Sequence, residues 1–124
     1  AAFNEPLGST AGPNQLVAPL WRDLTADVCV LEDASQLTVE WNGSAIDFDL
    51  ETFTAFEFGT VQMQAILTAD GTIELVYGPA HDVGRIGEDG REATVGIENA
   101  DGTIGLPASL PLDAGTSILF TPST

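Results

Sequence analysis

At 124 residues the chain has the length of one domain, and a fold of that size hides roughly two-thirds of the surface its unfolded form exposes. Its 44% hydrophobic content and mean hydropathy of +0.15 exclude a disordered chain, which carries too few apolar groups to offset the entropy of ordering. Nineteen carboxylates face three arginines and no lysine, a formal charge of −16, which argues against nucleic acid and anionic lipid as partners because both need clustered cations.

Residues 1–14 contain two prolines and several small polar residues, and read as an N-terminal arm or linker able to lie extended. A single domain over 15–124 is expected to follow. Its first strand spans 15–21, where Pro19 marks an edge or a bend because proline cannot donate to a ladder. Residues 28–31 and 36–41 read as two strands joined by the polar Glu32-Asp33-Ala34-Ser35 connection. In the second, Leu37, Val39 and Trp41 alternate with Thr38 and Glu40 and share one face. Asn42-Gly43 reads as a turn, after which Ile46, Phe48 and Leu50 alternate with Asp47, Asp49 and Glu51. The aromatic segment 53–58 has no clear place in this pattern.

The clearest hairpin runs from 60 to 67, turns at Ala69-Asp70-Gly71 and returns through 72–77, since Gly supplies the positive φ such a turn needs. A glycine-containing loop over 78–92, a strand over 93–98, a turn over 99–102 and a last strand over 117–121 complete the chain. No segment carries a helical period. About nine short strands with this punctuation predict an all-β fold, an antiparallel two-sheet β-sandwich. No apolar run approaches the ~20 residues of a membrane-spanning helix, so membrane insertion is not expected.

Several stretches carry a resemblance in their order and spacing: Leu16-Val17-Ala18-Pro19-Leu20-Trp21-Arg22-Asp23-Leu24, Leu37-Thr38-Val39-Glu40-Trp41-Asn42, and Val61-Gln62-Met63-Gln64-Ala65-Ile66-Leu67 leading into Asp70-Gly71-Thr72-Ile73-Glu74. Tyr77-Gly78 and Ala93-Thr94-Val95-Gly96-Ile97-Glu98-Asn99-Ala100-Asp101-Gly102 extend it. Together they resemble a β-sandwich module of secreted and cell-surface prokaryotic proteins, distantly similar to the nidogen-type extracellular domain. The resemblance covers most of the chain from Gln15 onward and implies an extracellular or cell-surface, non-enzymatic role with no active site to transfer. Modules of that kind begin with additional strands before the segment matching Val17-Ala18-Pro19, where this chain has only its arm. A sheet lacking a strand leaves an open edge, which is a template for another chain.

His81, the only histidine, lies in a Gly-Pro-Ala-His-Asp-Val-Gly stretch with no nucleophile motif near it and reads as a surface loop histidine. Cys29, in the run Val28-Cys29-Val30-Leu31, reads as a buried, inert thiol. Asp47, Asp49 and Glu51 on one strand face, and Glu88, Asp89 and Glu92 in the long loop, offer the oxygen ligands that calcium favours. No Asp-x-Asp-x-Asp-Gly calcium-loop spacing is present, and solvated acidic faces are the preferred reading. Asn42-Gly43-Ser44 fits both a glycosylation acceptor and a two-residue turn, the turn being favoured by its alternating flanks. Phe53, Phe56 and Phe58 fit a sugar-stacking platform, although core packing is the safer reading for aromatics in a β fold.

The function expected is a structural or adhesive surface module, not an enzyme and without a cofactor, whose partners are copies of itself or neighbouring surface domains. In its sharper form the N-terminal arm pairs with the sheet of the next subunit and builds a filament. The alternative is a calcium- or carbohydrate-binding accessory domain of a larger secreted protein.

Overall fold

The computed structural model describes residues 15–22, 24–83, 94–98, 100, 103–108 and 113–122. Eight strands and no helix occupy them: β1 Val17–Trp21, β2 Leu24–Glu32, β3 Gln36–Asp49, β4 Thr54–Thr68, β5 Ile73–Tyr77, β6 Thr94–Glu98, β7 Gly105–Pro107 and β8 Ser117–Phe120. The all-β expectation holds, with eight strands in place of about nine, and all pairings are antiparallel. The chain divides into two compact units, Ala1–Asp23 with Arg85–Pro111, and Leu24–Gly84 with Leu112–Thr124.

The larger unit holds a five-stranded sheet in the order β2-β3-β4-β5-β8. Its first hairpin closes over residues 33–36, where Asp33 N–H donates to the Gln36 carbonyl at 3.0 Å. The Asp33 Oδ1 accepts the backbone N–H of Ser35 at 2.7 Å and of Gln36 at 3.0 Å, together with the Ser35 hydroxyl at 2.8 Å. Those donors, the Ser35 amide first among them, hold the Asp33 carboxyl below its ordinary pKa. The β4–β5 hairpin turns where expected, with Gly71 at φ 92° and the Asp70 carboxylate accepting the Thr72 N–H at 2.9 Å.

Alternation then sorts the sheet. Trp41 lies opposite Val28 and Met63, and Met63 opposite Tyr77; Val39 lies opposite Val30 and Ala65, and Ala65 opposite Leu75. One face is therefore apolar from β2 to β5, and its centre is closed: Val61, Met63, Ala65, Leu75 and Tyr77 are all buried. The other face carries Asp27, Glu40, Gln62, Gln64 and Glu74, with Gln64 Nε2 donating to Glu40 Oε1 at 2.9 Å.

One expected turn is absent. Asn42-Gly43 does not reverse the chain; β3 runs straight through it, and residues expected to form two strands form one, with an irregularity between Gly43 and Ala45. The reason is spatial. A side chain at Gly43 would overlap the Thr25 carbonyl oxygen, so glycine serves close approach to β2 rather than a turn. The aromatic segment 53–58 likewise finds its place as a turn residue followed by the start of β4.

The smaller unit holds a three-stranded sheet in the order β1-β6-β7. As Pro19 predicts, β1 lies at an edge, and its register slips between Ala18 and Trp21. Ala18, Leu20 and Val95 are buried. The short strand β7 has no counterpart in the sequence reading; three residues ending in Pro107 carry too little alternation to mark a strand. Residues 1–14, 84–93 and most of the turn expected over 99–102 lie outside the described residues.

Candidate interaction surfaces

Two places on the five-stranded sheet expose large apolar side chains together. The first is the far end of the β3–β4 hairpin. β2 pairs with β3 only as far as Ala45, and β5 pairs with β4 only from Met63 onward. Asp47 to Asp49 pair with Phe56 to Thr54, and no further strand pairs with either stretch among the described residues. A two-stranded ribbon therefore runs past the ends of its neighbours.

That ribbon carries Phe48, Leu50, Phe53 and Phe56, all exposed, with Phe53 at 77%. Core packing of Phe53 and Phe56, expected from the sequence, is thus overturned: both are exposed, on a ribbon that no further strand flanks among the described residues. Phe48 meets Phe53 edge-on with ring centroids 6.3 Å apart, and Phe56 tilts against Phe58 at 6.5 Å. Phe53 stands in the turn with a positive φ of 55°, an uncommon conformation for a bulky residue. A sequence signal for this exists. Asp47, Asp49, Glu51 and Glu57 interleave with the aromatics on both arms, so neither face of the ribbon is free of carboxylates.

The second surface is strand β2, the outer strand of the sheet, nine residues long. Val28 is 55% exposed, Val30 63%, and Leu31 more so. Cys29 is also exposed, which corrects the expectation of a buried thiol: an outer strand has a neighbour on one side only. The β-branched run that reads as core is an apolar rim.

The carboxylates singled out as calcium candidates do not converge. The Asp49 Oδ1 accepts the N–H of Glu51 at 2.9 Å and of Thr52 at 3.4 Å, which shapes the turn and, through the Glu51 amide first, lowers the Asp49 pKa. Asp47 Oδ1 accepts the N–H of Phe48 at 2.9 Å, and Glu51 lies beyond the end of β3, exposed. Among the described residues no three His, Cys, Asp or Glu side chains gather at one point; Glu88, Asp89 and Glu92 lie outside those residues. Asn42 sits half-buried inside β3 between Asp27 and Gln62, not on the exposed turn that its acceptor reading assumed.

His81 is the other correction. It is 2% exposed, packed beside Tyr77 with ring centroids 5.0 Å apart, and not a surface residue. Beyond the end of β5, residues 78–83 take over the outer edge of β4: Gly78 N–H donates to the Gln62 carbonyl at 2.8 Å, and Thr60 and Asp82 exchange both backbone bonds at 2.9 and 2.8 Å. Within that stitch, Gln62 N–H donates to His81 Nδ1 at 3.0 Å, which fixes the Nε2–H tautomer. Nε2 is buried and has no hydrogen-bond partner among the described residues. Burial lowers the His81 pKa from its ordinary value, and the neighbouring Asp82 charge offsets part of that. Burial alone drives the Tyr77 phenol well above its ordinary pKa. A cleft of about 410 Å³ lined by Pro79, Ala80, His81, Asp82, Val83, Asp113 and Ala114 lies beside this cluster.

No protein-family model, curated protein or solved structure matches this chain.

Proposed function

We propose that the chain is a non-catalytic extracellular structural or adhesive module that self-assembles through its sheet edges, with the N-terminal arm 1–14 donated to the sheet of a neighbouring copy. The observation that carries this reading is the outer strand β2, long and lined by exposed Val28, Val30 and Leu31. Along its outer side β2 pairs with no other strand among the described residues, and such an edge is the standard acceptor for strand addition. The stacking of the two sheets as a sandwich, and the likeness to nidogen-type surface modules, belong to the same proposal. A charge of −16 suits it, since self-repulsion keeps an edge-exposing protein dispersed until pairing is specific.

Deleting residues 1–12 and imaging the purified chain by electron microscopy tests the arm. Loss of filaments on deletion is the expected result, and filaments that persist unchanged would sink the mechanism.

A second reading has its own support. Exposed Phe48 and Phe53, in edge-on contact at 6.3 Å on the ribbon, suit a carbohydrate-stacking platform better than packed rings would. Calorimetry against a glycan panel separates the two, since a structural module shows no saturable site.

A further inference from the structure

We infer that two copies of this chain join β2 to β2 about a two-fold axis through Cys29, making one continuous sheet. The inference rests on the self-assembly reading but fills the open side of β2 with a second β2, which leaves a neighbour's arm only another sheet edge such as β8, so the two are tested apart.

The backbone sets which residues can meet. Because Asp33 N–H points at Gln36 across the hairpin, and the β2–β3 register runs unbroken from there to Leu24, Cys29 and Leu31 also direct their backbone groups toward β3. Val28, Val30 and Glu32 direct theirs outward. An added antiparallel strand therefore forms hydrogen-bonded pairs with Val28 and Val30 and a non-hydrogen-bonded pair at Cys29.

Side chains choose among the permitted registers. With the axis at Cys29, each Val28 lies opposite Val30 of the second copy, twice over, and Asp27 lies opposite Leu31. No carboxylate of β2 then faces another. Moving the axis to Val30 sets Asp27 against Asp33 of the second copy, which costs stability in a chain already strongly acidic. Moving it to Val28 leaves one valine pair in place of two.

The second copy fits for another reason. Val28 and Val30 belong to the apolar face that Trp41, Val39, Met63 and Ala65 continue inward, and they are the part of it left exposed. A two-fold axis perpendicular to the sheet puts both apolar faces on the same side. The four valines then cover one another, and the apolar stripe becomes continuous across the join.

The axis brings two exposed thiols together. A non-hydrogen-bonded pair holds its Cα atoms about 4.5 Å apart, within the span a disulfide bridges. Treating the full chain with diamide, which takes up the two electrons and two protons released by two thiols, should trap a Cys29-linked dimer. The yield should rise with salt as repulsion between the acidic copies is screened. Two variants fix the interpretation. Moving the thiol by combining Cys29→Ser with Thr25→Cys should abolish trapping, since Thr25 does not face itself in this register. Val28→Lys with Val30→Lys should abolish it too, and the accompanying fall in net negative charge removes general repulsion as the cause.

Sedimentation velocity of the untreated proteins should show a dimer for the parent chain and a monomer for the double lysine variant. Equal trapping through Thr25→Cys, or no trapped dimer at any salt, overturns the inference. If filaments form while the dimer is absent, the contact is wrong and the arm reading stands. If the dimer is trapped unchanged after deletion of residues 1–12, the contact stands independent of the arm.

Discussion

His81 accepts a main-chain hydrogen bond from Gln62 at 3.0 Å, closing the edge of β4 where β5 has already ended. The bond needs an unprotonated Nδ1. A proton arriving there replaces an acceptor with a donor facing a donor, in a buried site that also disfavours the charge.

Folded His81 therefore binds a proton less readily than unfolded His81. Its contribution to stability should be complete above the ordinary value of 6.5 and should decline as pH falls below it. Urea unfolding at successive pH values across that range should show the decline. His81→Asn, which places a carbonyl oxygen near the Nδ1 position and does not titrate, should flatten it. His81→Ala leaves the Gln62 N–H unanswered and a void beside Tyr77, and should cost about 2–4 kcal/mol at neutral pH.

Leucines at two places on one sheet should behave oppositely. Leu75→Ala empties a fully buried position on β5 and should destabilise by about 2–5 kcal/mol. Leu31→Ala on the outer strand should change stability by no more than about 0.5 kcal/mol while lowering any tendency to associate. Chemical denaturation with light scattering on the same samples measures both.

Gly43→Ala should be among the costlier small substitutions. Its methyl would meet the Thr25 carbonyl, so β2 must shift away from β3, at about 1–3 kcal/mol. Gly115→Ala has open space but a φ of +76°, and its loss should come from backbone strain alone. Comparing denaturant midpoints of the two variants tells overlap from strain.

Salt should stabilise the fold. With nineteen acids and three arginines, self-repulsion opposes compaction and is screened by added ions. The melting temperature should rise with sodium chloride, and a comparable rise at equal ionic strength with calcium chloride is expected if screening is the whole effect. A larger, saturable rise with calcium would instead mark a specific ion site.

Much of the sheet was legible in the sequence because its signals are local. Asp70-Gly71 needs only itself and its flanks to specify a turn, and Leu37, Val39 and Trp41 need only alternation to specify a face. Asn42-Gly43 misleads for the opposite reason: it is a strong turn signal whose glycine answers a crossing backbone, Thr25, that local pattern cannot reveal. The exposure of Phe53 and Cys29 depends on where neighbouring strands stop, which is a property of topology. His81 hides for a similar reason, since its partner Gln62 is distant in sequence and contributes a backbone amide with no side-chain signature.

The unflanked ribbon of β3 and β4 has one further consequence. Because only its own two arms pair there among the described residues, its reach can vary without disturbing the rest of the sheet. Removing two residues from each arm would shorten it by about 7 Å and leave every remaining side chain pointing as before, whereas removing one from each would turn Phe48 and Phe56, which already point to opposite faces, each over to the other face. Length in this part of the molecule is thus an adjustable spacer, graded in steps of two.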